Sequence, residues 1–250
     1  MLKSTDGHRI YAIGDIHGCL HDLEDMQLRI ADDLDRRPHD RPVVVYLGDL
    51  GDRGADTRGV IDNLIERQAE GEVRTHVIRG NHDRCLMDFL SMPQLAADFD
   101  FWIRPNWGGW ATMHSYGVEN ALDRDPVDLQ ADLSLVFPPR HREFLDSLDV
   151  MVRIGSYAFV HAGVKPGIPL EAQLEEDTSW IREPFLTDRR DHGAIIVHGH
   201  TVVRQVENRG NRINVDTGLV FGGTLSCLVL EGQDQLILTP SGLVPCPVRR

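Results

Sequence analysis

Five short clusters of carboxylate, amide and imidazole groups punctuate this chain. They are Gly14-Asp15-Ile16-His17-Gly18, Gly48-Asp49-Leu50-Gly51-Asp52-Arg53-Gly54, Gly80-Asn81-His82-Asp83, His161-Ala162-Gly163 and His198-Gly199-His200-Thr201. Each follows a short apolar run. An aspartate and a histidine one residue apart can both reach a metal ion where the backbone turns at a strand end. Nitrogen and oxygen donors without thiolates suit manganese, iron or zinc. A shared carboxylate can bridge two ions ~3.5–4 Å apart, the spacing of two-metal hydrolytic sites. Taken singly, each cluster has a plain alternative: Gly-Asn-His-Asp suits a turn, and Asp49 or Asp52 suits a cap for a helix near Thr57. Five clusters, all after apolar strands, point instead to one site.

The elements that must position them are legible from the apolar pattern. Strands are expected at Arg9–Ile13, Pro42–Leu47, Arg74–Arg79, Tyr157–His161, Ala194–His198, Arg212–Val215, Thr224–Leu230 and Gln235–Leu238. Helices are expected from about His21 to Leu34, with apolar Leu23, Met26, Leu28 and Ile30, and from about Thr57 to Glu70. The first half thus reads strand–helix–strand–helix–strand, the pattern of right-handed crossovers. The second half has strands joined by turns, which implies two sheets with helices outside them. In open α/β sheets the carboxyl ends of strands form the ligand crevice, so the five loops should converge there. Residues at about 84–156 break the pattern. They carry Trp102, Trp107 and Trp110, Gly108-Gly109 and Pro138-Pro139, with a helix expected from Pro138 to about Leu148. This stretch is too long for a simple connection and reads as a folded insertion in a single 1–250 domain. Trp107 and Trp110 are placed there either as pocket walls or as packing anchors.

Composition bounds the partners. The 250 residues include 39 acidic and 26 basic side chains, a net charge of −13. Such a surface repels a long polyanion, so an extended nucleic-acid groove is not expected. A small phosphorylated substrate remains compatible, because bound dications reverse the sign locally. No apolar run has membrane-spanning length, and the polar start Met1–Arg9 reads as no secretory signal. The four cysteines, Cys19, Cys85, Cys227 and Cys246, lack CxxC spacing and fit a reducing, cytoplasmic setting as small buried residues.

The ordered set GDIHG, GDLGDRG, GNHD, HAG and HGHT resembles the calcineurin-like metallophosphoesterases. The Asp52-Arg53-Gly54 ending and the single histidine of the last motif resemble the phosphoprotein phosphatase branch, of bacterial and lambda-phage type. The resemblance implies an α/β fold, a two-sheet sandwich of four layers (α/β/β/α) with a helical insertion near the substrate mouth. It also implies two metal ions, most simply Mn2+, with Fe or Zn as alternatives. Asp15 and His17 match ligands of the first metal, Asp49 the bridging aspartate, and Asn81, His161 and His200 ligands of the second. His82 matches the general acid and Asp52 the carboxylate that orients it. Arg53 matches a phosphate-binding arginine, and Arg182 stands where a second is expected. Val202 occupies the place of a further histidine found in many metallophosphoesterases, and His198 is read as outside the ligand set.

The activity implied is hydrolysis of a phosphomonoester, most simply by a serine/threonine-type phosphoprotein phosphatase, with a hydroxide bridging the metals attacking phosphorus in line. A symmetrical diadenosine tetraphosphate hydrolase is the alternative, since its relatives share most motifs and an ending like Asp216-Thr217-Gly218 and Gly222-Gly223-Thr224-Leu225. A degenerate, metal-stabilised scaffold without activity is the non-enzyme alternative. The sequence leaves the oligomeric state open.

Overall fold

The structure is a computed structural model and describes residues 3–249. Strands β1 (Arg9–Ile13), β2 (Pro42–Tyr46) and β3 (Arg74–Val77) are parallel, joined by helices α1 (Leu20–Arg36) and α2 (Thr57–Glu70). The remaining strands are β4 (Val152–Ile154), β5 (Tyr157–Phe159), β6 (Ile195–His198), β7 (Glu207–Asn208), β8 (Arg212–Asn214), β9 (Cys227–Glu231), β10 (Asp234–Thr239) and β11 (Gly242–Pro245). They form two sheets. The first runs β11-β10-β9-β1-β2-β3 and the second β4-β5-β6-β8-β7. In the second, β5, β6 and β8 are parallel, with antiparallel β4 and β7 at the edges.

The near-continuous apolar character of β1 and β2 has a direct cause: both faces of the first sheet are covered. Ile10, Ala12, Val43 and Val45 point between the sheets, against Tyr157, Phe159, Val197 and Ile213. Their neighbours Tyr11, Ile13, Val44 and Tyr46 point outward into a core with Leu23, Met26 and Ile30 of α1 and Val60, Ile61 and Leu64 of α2. Leu28, expected on the buried stripe of α1, is 64% exposed. The stripe follows 23, 26, 27 and 30, and residue 28 falls outside that spacing. On its outer face the second sheet packs Ala158, Val160 and Ile196 against Val164, Leu170 and Phe185. Between β5 and β6 the one α-helix among the described residues is the short α8 (Glu175–Trp180).

The segment expected as an insertion is helical: α3 (Asn81–Ser91), α4 (Asp100–Ile103), α5 (Gly109–Ser115), α6 (Pro126–Val136) and α7 (Pro139–Asp146), with 3-10 turns between. Its apolar residues Leu86, Phe89, Trp102, Met113, Leu129 and Leu133 belong to the same core as α1 and α2. It is therefore continuous with the helical layer of the first sheet. Helix α3 was not expected: it begins directly on the Gly-Asn-His-Asp turn, with Asp83 accepting the Gly80 N–H at 2.8 Å as its cap. Strands β4, β7 and β11 were also not expected. The first two are three and two residues long, too short for alternation to register. Three of the cysteines, Cys85, Cys227 and Cys246, are buried, Cys19 is partly buried, and all are free thiols.

Candidate active site

The loops after β1, β2, β3, β5 and β6 meet along one edge of the sandwich. Backbone hydrogen bonds tie them together. The Asp49 carbonyl accepts from the N–H groups of Ile16 and His17, at 3.2 and 2.8 Å, and Gly199 N–H donates to the His161 carbonyl at 2.7 Å. His161 Nδ1 donates across the sheets to the Leu47 carbonyl at 2.7 Å. Asp83 joins the second and third loops: its carboxylate accepts from the N–H groups of Asp49 and Leu50, both at 2.9 Å, and from Gly80. Asp56 accepts from Gly59 N–H at 2.8 Å and caps α2, so Asp49 and Asp52 are not used as caps.

The backbone here is forced. His17, Asp49, Asp52, Arg53 and His200 adopt positive φ, between 47° and 68°, and account for five of the seven such non-glycine residues among those described. A non-glycine residue held there costs ~1–3 kcal/mol, and such strain clusters at functional sites. The turns also demand close approach. A Cβ on Gly80 would lie 2.2 Å from Asp49 Oδ1, and one on Gly199 would lie 2.0 Å from Asp15 Oδ1.

Asp15, His17, Asp49, Asn81, His82, Arg53, Arg182 and His200 all line one cavity of about 370 Å³. His161 lies fully buried beneath it. Two groups of donor atoms lie within 4.8 Å of one another: His17, Asp49 and His82, and Asp49, His161 and His200. Asp49 belongs to both, as a bridging carboxylate would. The first group contains His82 where the motif pattern has Asp15. His82 Nδ1, however, is engaged by Asp52 Oδ2 at 2.6 Å. The buried Asp15 carboxylate accepts the His200 N–H at 3.1 Å. Arg182 is exposed at the end of α8. His198 is on the other side of β6, where its ring meets Phe185 at 5.1 Å and its Nε2 lies 3.5 Å from Arg212.

The donor set fits cations. The Leu47 carbonyl can only accept, so His161 carries a proton on Nδ1. Its Nε2 then faces Asn81 Oδ1 at 3.0 Å and Asp49 Oδ1 at 3.3 Å. Those are acceptors converging without a donor unless His161 is doubly protonated or a cation sits among them. His200 Nε2 is buried and has no hydrogen-bond partner. Gly51 accepts from His17 Nδ1 at 2.8 Å, leaving Nε2 with its lone pair turned to Arg53 Nη1. Burial pushes the His17 imidazole down to about 3 and the His200 imidazole down to about 2, so both are neutral, as metal ligands must be. Burial also opposes charge on His161, but the Asp49 carboxylate outweighs it and pushes His161 up to about 10. Burial raises Asp15 well above the usual carboxylate range, with Asp216 adding like-charge repulsion. A cation bound among these carboxylates would offset the repulsion of Asp15 by Asp216 and Asp49 and favour its ionised form.

Several residues at the site were not singled out by the sequence. Asp216 is buried and lines the cavity, accepting from Gly218 N–H at 2.9 Å. Its place in Asp-Thr-Gly after a strand was an available signal. Trp180 and Phe221 also line the cavity, as does Trp107, one of the two tryptophans the sequence offered as pocket walls or packing anchors; Trp110 does not line it. Trp107 lies 5.0 Å from His82 and 5.6 Å from Trp180, ring to ring, and Arg53 sits over Phe221 at 5.2 Å. Trp102 and Thr112 touch Asp52 across 50 and 60 residues of chain, with no local pattern to mark them.

Two sheets covered by helices, with imidazole, carboxylate and amide donors gathered at their loop edge, define an α/β protein with a candidate two-metal site. The family model of calcineurin-like phosphoesterases matches residues 8–224, and the chain belongs to that family. It is 28% identical over 233 residues to serine/threonine-protein phosphatase 1 of Salmonella typhimurium, covering 90% of this chain and 93% of that one. It is 25% identical over 236 residues to the asymmetrical bis(5'-nucleosyl)-tetraphosphatase PrpE of Anoxybacillus flavithermus, covering 86% and 88%. Among solved structures, one described as a candidate diadenosine tetraphosphatase aligns with a TM-score of 0.63 at 21% identity, over 99% of this chain and 96% of that one. The two-sheet α/β fold and the hydrolase class follow. No helix among the described residues is long and apolar enough to cross a membrane.

Proposed function

We propose that this phosphoesterase is a phosphoprotein phosphatase that removes phosphate from serine or threonine side chains. The observation that carries the reading is the Asp52–His82 pair, joined at 2.6 Å beside the metal-type donors, with both side chains buried. An alkoxide is a poor leaving group and needs a proton as the P–O bond breaks. A phosphoanhydride leaving group needs much less help. A buried histidine held by a carboxylate therefore has most value against an alkyl phosphoester.

Asp15, His17 and Asp49 would hold one metal ion, and Asp49, Asn81, His161 and His200 the other, with Mn2+ the simplest choice and Fe or Zn compatible. When bound, the two ions supply positive charge for the phosphoryl group and an activated water as nucleophile. Arg53 and Arg182 would add forked donors to the phosphate oxygens. His82 keeps Nδ1 on Asp52 and presents its other nitrogen to the departing oxygen.

A second reading rests on the aromatic lining. Trp107, Trp180 and Phe221 line the same cavity, and flat rings suit a nucleobase, as in dinucleoside polyphosphates. One manganese-loaded preparation assayed with phosphoserine, phosphothreonine and phosphotyrosine peptides and with diadenosine tetraphosphate separates the readings. The proposal expects the highest kcat/KM on phosphoserine or phosphothreonine. A higher value on diadenosine tetraphosphate would assign the second reading instead.

A further inference from the structure

The backbone of the turn that carries Asp52 is held locally, by Thr57 Oγ1 on its N–H at 3.2 Å and by Gly54 N–H on its carbonyl at 2.7 Å, but its carboxylate has no partner within the turn. Asp52 and Arg53 both sit at φ of 68°, and the Asp52 carboxylate is 1% exposed. A carboxylate buried to that degree must be met by donors or it is strongly destabilising. Three donors meet it, each at 2.6 Å: His82 Nδ1 and Trp102 Nε1 on Oδ2, and Thr112 Oγ1 on Oδ1. Only His82 comes from a motif loop. The other two come from α4 and α5 of the helical segment.

The hydrogen positions follow from valence. The Asp52 backbone N–H donates to Thr112 Oγ1 at 3.0 Å, so that oxygen serves as an acceptor there and its own proton is free for Asp52 Oδ1. Thr57 Oγ1, 2.9 Å away, then donates to Thr112. The indole N–H can only donate. Both lone-pair directions of Oδ2 are thus taken, and the plane of the carboxylate is fixed at both oxygens. Trp102 and Thr112 are neutral, and no arginine or lysine pairs with Asp52 among the described residues. The same segment also braces the next residue: the Arg53 N–H donates to the Gly108 carbonyl at 3.1 Å.

We infer that Trp102 and Thr112 are positioning residues for the proton donor. Their N–H and O–H groups, delivered by the helical segment, hold the Asp52 carboxylate in the orientation that aims His82 at the leaving oxygen. The inference rests on the reading of His82 as proton donor. It gives the segment a part in the reaction itself, beyond shaping the cavity. Trp102 is also a core residue, 0% exposed and 5.1 Å from the Phe89 ring. Loss of stability alone therefore says nothing about positioning, and the test must read the chemistry.

The test compares manganese-loaded Trp102→Phe, Thr112→Val, Thr112→Ser and Asp52→Asn on phenyl phosphate and 2,4-dinitrophenyl phosphate. The second leaving group departs without a proton. Trp102→Phe and Thr112→Val are expected to lower kcat on phenyl phosphate roughly tenfold, part of the ~10²–10⁴ that a positioned acid contributes. Loss on the dinitrophenyl ester should stay under about threefold, with KM unchanged on both. Thr112→Ser, which keeps the hydroxyl, should retain the wild-type ratio. Equal losses on the two esters, or none, in both Trp102→Phe and Thr112→Val would overturn the positioning role. Asp52→Asn separates the two levels. If it shifts the ratio while the other two do not, the clamp alone fails. If it leaves the ratio unchanged, the proton-donor reading fails with it.

Discussion

The carboxylate of Asp83 lies 2.9 Å from the backbone nitrogen of Asp49 and accepts its hydrogen. The third motif thereby fixes the backbone of the second, at the residue shared by both donor groups. Asp83 also accepts from Leu50 and Gly80, so removing it would orphan three buried N–H groups. Asp83→Ala is expected to cost at least ~3 kcal/mol. For a chain of this size that corresponds to a melting temperature lower by about 6–12 °C. Thermal unfolding followed by circular dichroism checks it, and an unchanged midpoint would mean the loops hold without this carboxylate.

Removing metal should abolish activity. Asp49 draws two sets of donors together, and His200 Nε2 is buried without a hydrogen-bond partner. Chelation followed by gel filtration should leave no turnover of p-nitrophenyl phosphate, and added Mn2+ should restore it. Persistent turnover in protein shown by elemental analysis to be metal-free would contradict the two-metal reading.

His82→Asn should slow alkyl phosphates more than activated aryl phosphates. On the proposed reading, His82, held by Asp52 at 2.6 Å, protonates the departing oxygen. Losses of roughly 10²-fold are expected on the alkyl ester and much smaller ones on the aryl ester. Equal losses on both would remove His82 from that role.

Arg53→Ala should weaken phosphate binding. Its guanidinium lines the cavity and lies beside His17 Nε2, with Nε buried and unpartnered. Inhibition by inorganic phosphate should weaken by about tenfold, the loss of one or two charge-assisted hydrogen bonds. Arg182→Ala, at an exposed position on the same cavity, should weaken it less. An Arg53→Ala enzyme with wild-type phosphate inhibition would exclude Arg53 from the phosphate site.

Far from the site, Glu231 accepts two hydrogen bonds from Arg9, both at 2.9 Å, which hold it below the usual glutamate range. A carboxyl group lowered on folding contributes stability above its unfolded value of about 4.3, and that stability is lost as pH falls through the lower folded value. Glu231→Gln should therefore lower the melting temperature at pH 7, and the difference from wild type should shrink as pH drops below about 4. The side chain is 32% exposed, so the effect is expected to be about 1 kcal/mol or less. A difference that persists unchanged at pH 3 would assign it to packing.

What the sequence determined by itself was local. Apolar runs announced β1, β2 and β6, because both faces of those strands are covered and every position except Arg9 and His198 is apolar. The 23, 26, 30 spacing announced α1, and the glycine-flanked aspartates and histidines announced turns that side chains could use. Asp15, His17, Asp49, Asn81, His82, Arg53, Arg182 and His200 were all named before any of them shared a cavity. Tertiary structure decided what residues do for one another across long stretches of chain. No pattern near Asp52 indicates that Trp102 and Thr112 would supply its donors, since a hydrogen bond between residues 50 or 60 positions apart leaves no periodicity to read. Leu28 is a different case: it falls outside the 23, 26, 30 spacing, so helical periodicity alone places it off the buried stripe, where it is 64% exposed. Periodicity encodes which face of an element is buried. Only the packing of one element on another determines which polar groups are buried together, and there the cost of an unmet donor or acceptor selects the partners.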